Sequence, residues 1–232
     1  MFVRSVVADA FGTNCYVVAP AEGEECIIVD PGIGVEGRVQ EILREHRLRP
    51  AAVLLTHGHL DHVYAVTPVC AGTVAAHIHT DDRYRLVDPL ASLGPGLLPA
   101  LEQQFGRRAT WTEPEEVVEI VDREVLRIAG LSIEVAHAPG HTEGSVLFSL
   151  AGVPQGIPTD ELERTVLSGD VLFAGSIGRT DLPGGDPAAM QRSLREVVLT
   201  QPDPTLVLPG HGPATTIARE RATNPYLLDV AG

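Results

Sequence analysis

The run AAVLL (Ala51–Leu55) is apolar and of strand length, and it leads directly into THGHLDH, where His57, His59, Asp61 and His62 fall within six residues. Three imidazoles and a carboxylate on one short loop can point into one volume. Polar groups crowded in this way are costly unless they are solvated, mutually hydrogen-bonded or bound to a cation. One reading leaves them as exposed loop residues at the start of a helix, with Asp61 as its cap. The other makes them ligands, since histidine is the commonest metal ligand.

Three further positions favour ligation. His141 in HAPGHTEGS, Asp170 in LSGDVLF and His211 in LPGHGP each follow strand-like sequence and stand near glycine, which lets backbone turn sharply beside a tight site. These seven residues divide into two sets. His57, His59 and His141 make a three-imidazole site, Asp61, His62 and His211 make a mixed one, and Asp170 can put one oxygen on each. With a shared water, the pattern gives two divalent ions a catalytic shell with an open position. Zinc is the expected ion, and the same donors accept iron or manganese.

Composition narrows the partners. Acidic residues outnumber Lys and Arg by 31 to 17, and the net charge of −14 argues against a surface that tracks nucleic-acid phosphates. All 17 are arginine, which excludes lysine Schiff-base chemistry and the Walker P-loop. No apolar run reaches the roughly 18 residues of a membrane span. Asp9, Gly12 and Asn14 interrupt the N-terminal apolar stretch before a signal-peptide core forms. The expected location is the cytoplasm, with no membrane and no nucleic-acid partner. Cys15, Cys26 and Cys70 form no CxxC pair and are odd in number, which fits buried apolar thiols in a reducing compartment. The sequence carries no signal for an oligomeric state.

The hydrophobic periodicity predicts two halves with a shared order, strands and then a helix, within one domain spanning 1–232. FVRSVV, NCYVVA and ECIIVD read as short strands, and Val35, Val39, Ile42 and Leu43 as the buried face of a helix. Thr73–His77 reads as a further strand, and Arg83–Thr112 as a lid-like segment with a short helical pattern in LLPALEQQF. Strands follow at Val125–Ile128, Leu131–His137, Ser145–Leu150 and Thr165–Leu167, with Ala151–Glu163 as a hairpin insertion. Asp186 and Pro187 then signal a helix start, with Met190, Leu194, Val197 and Val198 on one face. TLVLPGHG is a last strand and loop, and TTIARERA a last helix.

THGHLDH, HAPGHTEGS, SGD and PGHGP, in this order and spacing, resemble the metallo-β-lactamase superfamily over nearly the whole chain. The resemblance implies an α+β fold, a four-layer αββα sandwich with both sheets inside and the metals at one edge between them. GSIGRTDLPGGD (Gly175–Asp186) and PGHGPATTIARERATNPYL (Pro209–Leu227) are most similar to short-form bacterial glyoxalase II, the hydroxyacylglutathione hydrolases. That likeness implies a dinuclear hydrolase of S-2-hydroxyacyl thioesters acting through a metal-bound hydroxide, with a small-molecule thioester as its partner. Asp61 would be the catalytic residue that orients the hydroxide or accepts its proton. Long-form members add a basic helical domain for the glutathione carboxylates, whereas here only Gly212–Gly232 follow His211 and lysine is absent. The alternative within the fold is a persulfide dioxygenase with a single iron. His59 stands where oxygen-reducing diiron members usually carry Glu. An RNA phosphodiesterase is disfavoured by the charge, and a binding module without catalysis leaves the open metal positions unexplained.

Asp30, before Pro31-Gly32, resembles the superfamily's aspartate that supports the ligand loop, against a plain turn residue. Arg179 is a candidate for binding a substrate carboxylate, against an ion pair with Asp181 inside its turn. His137 reads as a packed or supporting residue, and His46, His77 and His79 as surface or structural.

Overall fold

Successive side chains of a strand point to opposite faces, and in β2 (Asn14–Ala19) both faces are apolar and buried. Cys15, Val17 and Ala19 enter one core, Tyr16 and Val18 another. A strand of this kind needs cover on both sides. A computed structural model, which describes residues 1–92, 99–100, 102–103, 108–157 and 161–231, supplies that cover in four layers.

The first sheet runs in chain order: β1 (Phe2–Val7), β2, β3 (Glu25–Val29), β4 (Arg49–Leu54), β5 (Ala76–His79) and β6 (Val117–Ile120). Its first three strands are antiparallel, and β3 to β6 are parallel. The second sheet comprises β7 (Val125–Ile128), β8 (Leu131–His137), β9 (Val146–Ala151), β10 (Arg164–Gly169), β13 (Thr205–Pro209) and β14 (Thr215–Thr216). There only the β10–β13 pair is parallel. A hairpin of β11 (Leu172–Phe173) and β12 (Ser176–Ile177) follows β10.

Alternation assigns each strand to two cores. Val18, Ile27, Val29 and Leu54 meet Ile133, Phe148, Leu150 and Leu206 between the sheets. On the outer face of the first sheet, Val17, Ile28 and Val53 pack with Val39 and Leu43 of α1 (Glu36–Glu45), Val63 of α2 (Leu60–Val63) and Val66 of α3 (Val66–Cys70). On the outer face of the second, Leu147, Val166 and Val207 pack with Met190 of α4 (Pro187–Ser193), Ile217 of α5 (Ile217–Thr223) and Leu227 of α6 (Pro225–Ala231). The αββα sandwich expected from the sequence is the one found. All three cysteines lie in the first outer core, and burial pushes the Cys26 thiol up to about 12, Cys70 to about 11 and Cys15 higher still.

Several local readings shift. The strand expected at Thr73–His77 begins at Ala76, because Ala71 and Gly72 take left-handed conformations after α3 and the Thr73 amide and hydroxyl both donate to the Cys70 carbonyl. Helix α4 continues through a π-turn over Leu194–Val198, which keeps Met190, Leu194 and Val198 in one core at a spacing of four. Much of the lid-like Arg83–Thr112 segment, including most of LLPALEQQF, lies outside the described residues. Its described start is a 3-10 helix over Thr80–Leu86, and Trp111 Nε1 donates to the Leu86 carbonyl at 2.9 Å. The insertion after β9 does connect an antiparallel pair, Ala151 lying opposite Arg164. Among the described residues no helix is long and apolar enough to cross a membrane.

Candidate metal centre

The seven ligand-type residues meet where strands of both sheets end. Asp30 follows β3, Thr56 and His57 follow β4, Asp170 follows β10, and His211 follows β13, while His141 lies between β8 and β9. His59, Asp61 and His62 sit at the start of α2. Backbone bonds tie these ends together: Asn14 N donates to Gly210 O at 2.7 Å, Gly210 N to Gly169 O at 2.8 Å, and Val146 N to Thr56 O at 2.9 Å. A side chain at Gly210 would meet His62 Cε1 at 2.7 Å and run into Asp170 Oδ1, so the chain passes there only as glycine.

The exposed-loop reading fails on burial: His57, His59 and His62 are 1%, 8% and 0% exposed. Nor is Asp61 a helix cap. No side chain caps α2, and Asp61 Oδ2 instead accepts from Thr13 Oγ1 at 3.0 Å and lies 3.2 Å from His211 Nε2.

Donors held at about 2.0–2.1 Å around a tetrahedral ion stand about 3.4 Å apart. His62 Nε2, His211 Nε2 and Asp61 Oδ2 form a triangle with sides of 3.3, 3.2 and 3.5 Å. Asp170 spans the two sets, with Oδ1 3.4 Å from His62 Nε2, and Oδ2 3.4 Å from His211 Nε2 and 3.5 Å from His141 Nε2. His141 Nε2 lies 2.8 Å from His59 Nδ1, and one donor atom from each of His57, His59 and His141 falls within 4.8 Å of the others. His57 Nε2 and Asp170 Oδ1 are buried with no hydrogen-bond partner. Unfilled acceptors of this kind fit a cation, so the residues present suit divalent metals.

The far side of each ring is also held. His62 Nδ1 is 2.9 Å from Asp30 Oδ2, and His141 Nδ1 donates to the Arg179 carbonyl at 2.7 Å, which turns both Nε2 atoms inward. Asp30 itself takes a left-handed φ of 50° and accepts from Thr56 N at 2.8 Å and Thr56 Oγ1 at 2.6 Å.

Electrostatics divide the cluster. Burial pushes the His57, His59 and His141 imidazoles below their ordinary value, His59 to about 3, which favours the neutral form that ligates a metal. Burial also opposes the charges of Asp61 and Asp170. The neighbouring His62 outweighs it, holding Asp61 down to about 2 and Asp170 well below the carboxylate range. For His62 and His211 burial again disfavours charge, and the carboxylates outweigh it, raising His62 well above its ordinary value and His211 to about 9.

Other candidates fall elsewhere. The Arg179 guanidinium is exposed and bidentate on Asp181 at 2.7 and 2.8 Å, so a substrate carboxylate would have to displace Asp181. What reaches the centre is the Arg179 backbone carbonyl. His137 stacks on His79 with centroids 4.0 Å apart, outside the cluster. Residues that the spacing did not single out include Thr13, which fixes Asp61, and Asn14 and Tyr16, whose side chains hold the Pro209 carbonyl at 3.0 and 2.8 Å. Thr56 was visible inside THGHLDH, but its partner Asp30 was needed to give it a role.

Comparison with known proteins agrees with this geometry. The sequence pattern of the metallo-beta-lactamase superfamily matches residues 8–211. Hydroxyacylglutathione hydrolase GloC of Haemophilus influenzae is 32% identical over 235 residues, covering 98% of each chain. Among solved structures, the B3 metallo-beta-lactamase BLEG-1 superposes with a TM-score of 0.78 at 34% identity, over 97% of this chain and 99% of that one. TTHA1623, solved in a di-iron-bound form, gives a TM-score of 0.73 at 34% identity, over 96% of this chain and 99% of that one. The chain belongs to the metallo-β-lactamase superfamily of metal-dependent hydrolases.

Proposed function

We propose that this protein is a dinuclear metal hydrolase of S-2-hydroxyacyl thioesters. The observation that carries the reading is Asp170, whose two oxygens reach both donor sets, beside the buried and unpaired His57 Nε2. The likeness to GloC over the whole chain supports the substrate class. Divalent ions held here, zinc in the first instance, would supply Lewis acidity that brings the pKa of water toward neutrality and polarises an acyl carbonyl.

The side chains divide the remaining work. His57, His59 and His141 would hold one cation as neutral donors and Asp61, His62 and His211 the other, with Asp170 available to both sets. Asp61 is a weak base at about 2. Its part is to stay anionic, anchored by the Thr13 hydroxyl, and to orient water by accepting its hydrogen bond. The departing thiol has an ordinary pKa near 8.5, so no strong acid has to stand opposite. The Phe173 ring, 6.0 Å from the His211 ring and perpendicular to it, offers an apolar wall beside the mixed set.

Elemental analysis of the purified protein, combined with assays on S-lactoylglutathione, glutathione persulfide and a β-lactam, tests the proposal. Two equivalents of metal and thiol release from S-lactoylglutathione are expected. Oxygen uptake on the persulfide without thioester cleavage, with one iron per chain, would establish the second reading, a single-iron persulfide dioxygenase. That reading draws on the donor set of histidines and aspartates, which accepts iron as well as zinc. Hydrolysis of the β-lactam alone would move the substrate toward that of BLEG-1.

A further inference from the structure

Asp82 is fully buried, at 0% exposure, and its hydrogen bonds go to groups other than the seven ligand-type side chains. It accepts four hydrogen bonds: Gly58 N at 2.7 Å and Thr142 Oγ1 at 2.8 Å on Oδ2, Gly144 N at 2.9 Å and Arg85 Nε at 3.1 Å on Oδ1. Gly58 stands between His57 and His59, and Thr142 directly follows His141. One carboxylate therefore fastens the loop that leaves the first sheet to the loop within the second. The fit is close on both sides, since a Cβ at Gly58 would meet Arg85 Cβ at 2.6 Å and one at Gly144 would meet Asp82 N at 2.6 Å. Arg85 extends the tie. Its guanidinium pairs with Glu143 and donates to the Pro183 carbonyl at 3.0 Å, in the turn whose Arg179 carbonyl holds His141.

We propose that Asp82 is the positioning residue of the three-imidazole half of the centre, setting the separation of His57 and His59 from His141. The inference rests on the metal-centre reading above. Hydrogen bonds to a carboxylate are charge-assisted and short, and Asp82 receives donors on both oxygens. An amide at this place has to turn its NH₂ toward one pair of donors, Gly58 N and Thr142 Oγ1 or Gly144 N and Arg85 Nε, and so pushes one ligand loop away. A metal site tolerates only about 0.5 Å of such movement.

The test measures zinc affinity by competition with a chromophoric chelator, and the ligand-field spectrum of the cobalt-substituted protein, for wild type, Asp82→Asn and Thr142→Val. Circular dichroism establishes that each chain is folded. Asp82→Asn is expected to weaken zinc binding about 10- to 100-fold and to alter the cobalt spectrum. Thr142→Val, which removes one of the four donors without changing side-chain shape, should move both in the same direction by less, and it decides the matter if Asp82→Asn does not fold. Folded variants with wild-type affinity and an unchanged spectrum would overturn the assignment, whatever their thermal stability. A wild-type chain that binds neither zinc nor cobalt would instead overturn the metal-centre reading itself.

Discussion

Asp30 satisfies three donors at once, the Thr56 amide, the Thr56 hydroxyl and His62 Nδ1. Removing it leaves buried groups unpaired, at about 1–3 kcal/mol each. Asp30→Ala should therefore lower the unfolding midpoint and weaken metal binding about 10- to 100-fold, measured by denaturant melts and chelator competition. Unchanged affinity would reduce Asp30 to a turn residue. Gly210→Ala is expected to lose bound metal with the fold retained, because the added methyl occupies space already taken by His62 and Asp170; elemental analysis beside circular dichroism checks it. For Arg179→Ala the expected metal content is that of wild type, since the carbonyl that holds His141 belongs to the backbone. A rise in KM without a change in kcat would then assign the guanidinium to substrate after all. At this scale the ligand-type residues were legible because histidines and aspartates at strand ends have few other reasons to crowd together. Thr13, Asp82 and the Arg179 carbonyl were not legible. Their roles depend on which loop lies opposite, and spacing along the chain does not carry that.

Helix α4 shows what local chemistry can specify by itself. Asp186 accepts from the Ala188 and Ala189 amides at 2.8 and 3.1 Å with Pro187 at the first helical position, as its sequence indicated. Asp186→Ala should cost about 1 kcal/mol of stability and leave metal content alone, read from equilibrium denaturation; a larger loss would mean that α4 positions the His141 turn, whose Gly140 carbonyl accepts from the Asp186 amide at 2.9 Å. The misplaced start of β5 has the opposite lesson. Thr73 and Val74 have strand propensity, yet the left-handed pair Ala71-Gly72 holds them in the exit turn of α3. The strands β11 and β12 are not read from the sequence because two residues each are too few to show a period; β6 is half-exposed and its burial does not alternate.

Across the whole molecule, three large cores are stacked through two sheets; the periodicity indicated only the strands-then-helix order of each half, and the four layers followed from the family resemblance. The donors come from both sheets, so a bound ion also fastens the halves to each other. Chelation of the holoprotein is accordingly expected to lower its thermal midpoint, by the equivalent of about 2.7 kcal/mol at a free metal concentration of 100 Kd. Calorimetry with and without chelator measures this, and coincident transitions would show that the ions contribute nothing to folding.

Asn14 Nδ2 donates to the Gly212 carbonyl at 2.9 Å across 198 positions of sequence, and Thr13 forms a β-bridge with His211. On a ribosome, the first histidines emerge long before their last companion. Contacts this distant are also the slowest to form once the chain is free. The candidate metal centre is thus a late product of synthesis, and a nascent chain stalled short of His211 has every element of the first sheet yet no finished place to receive an ion.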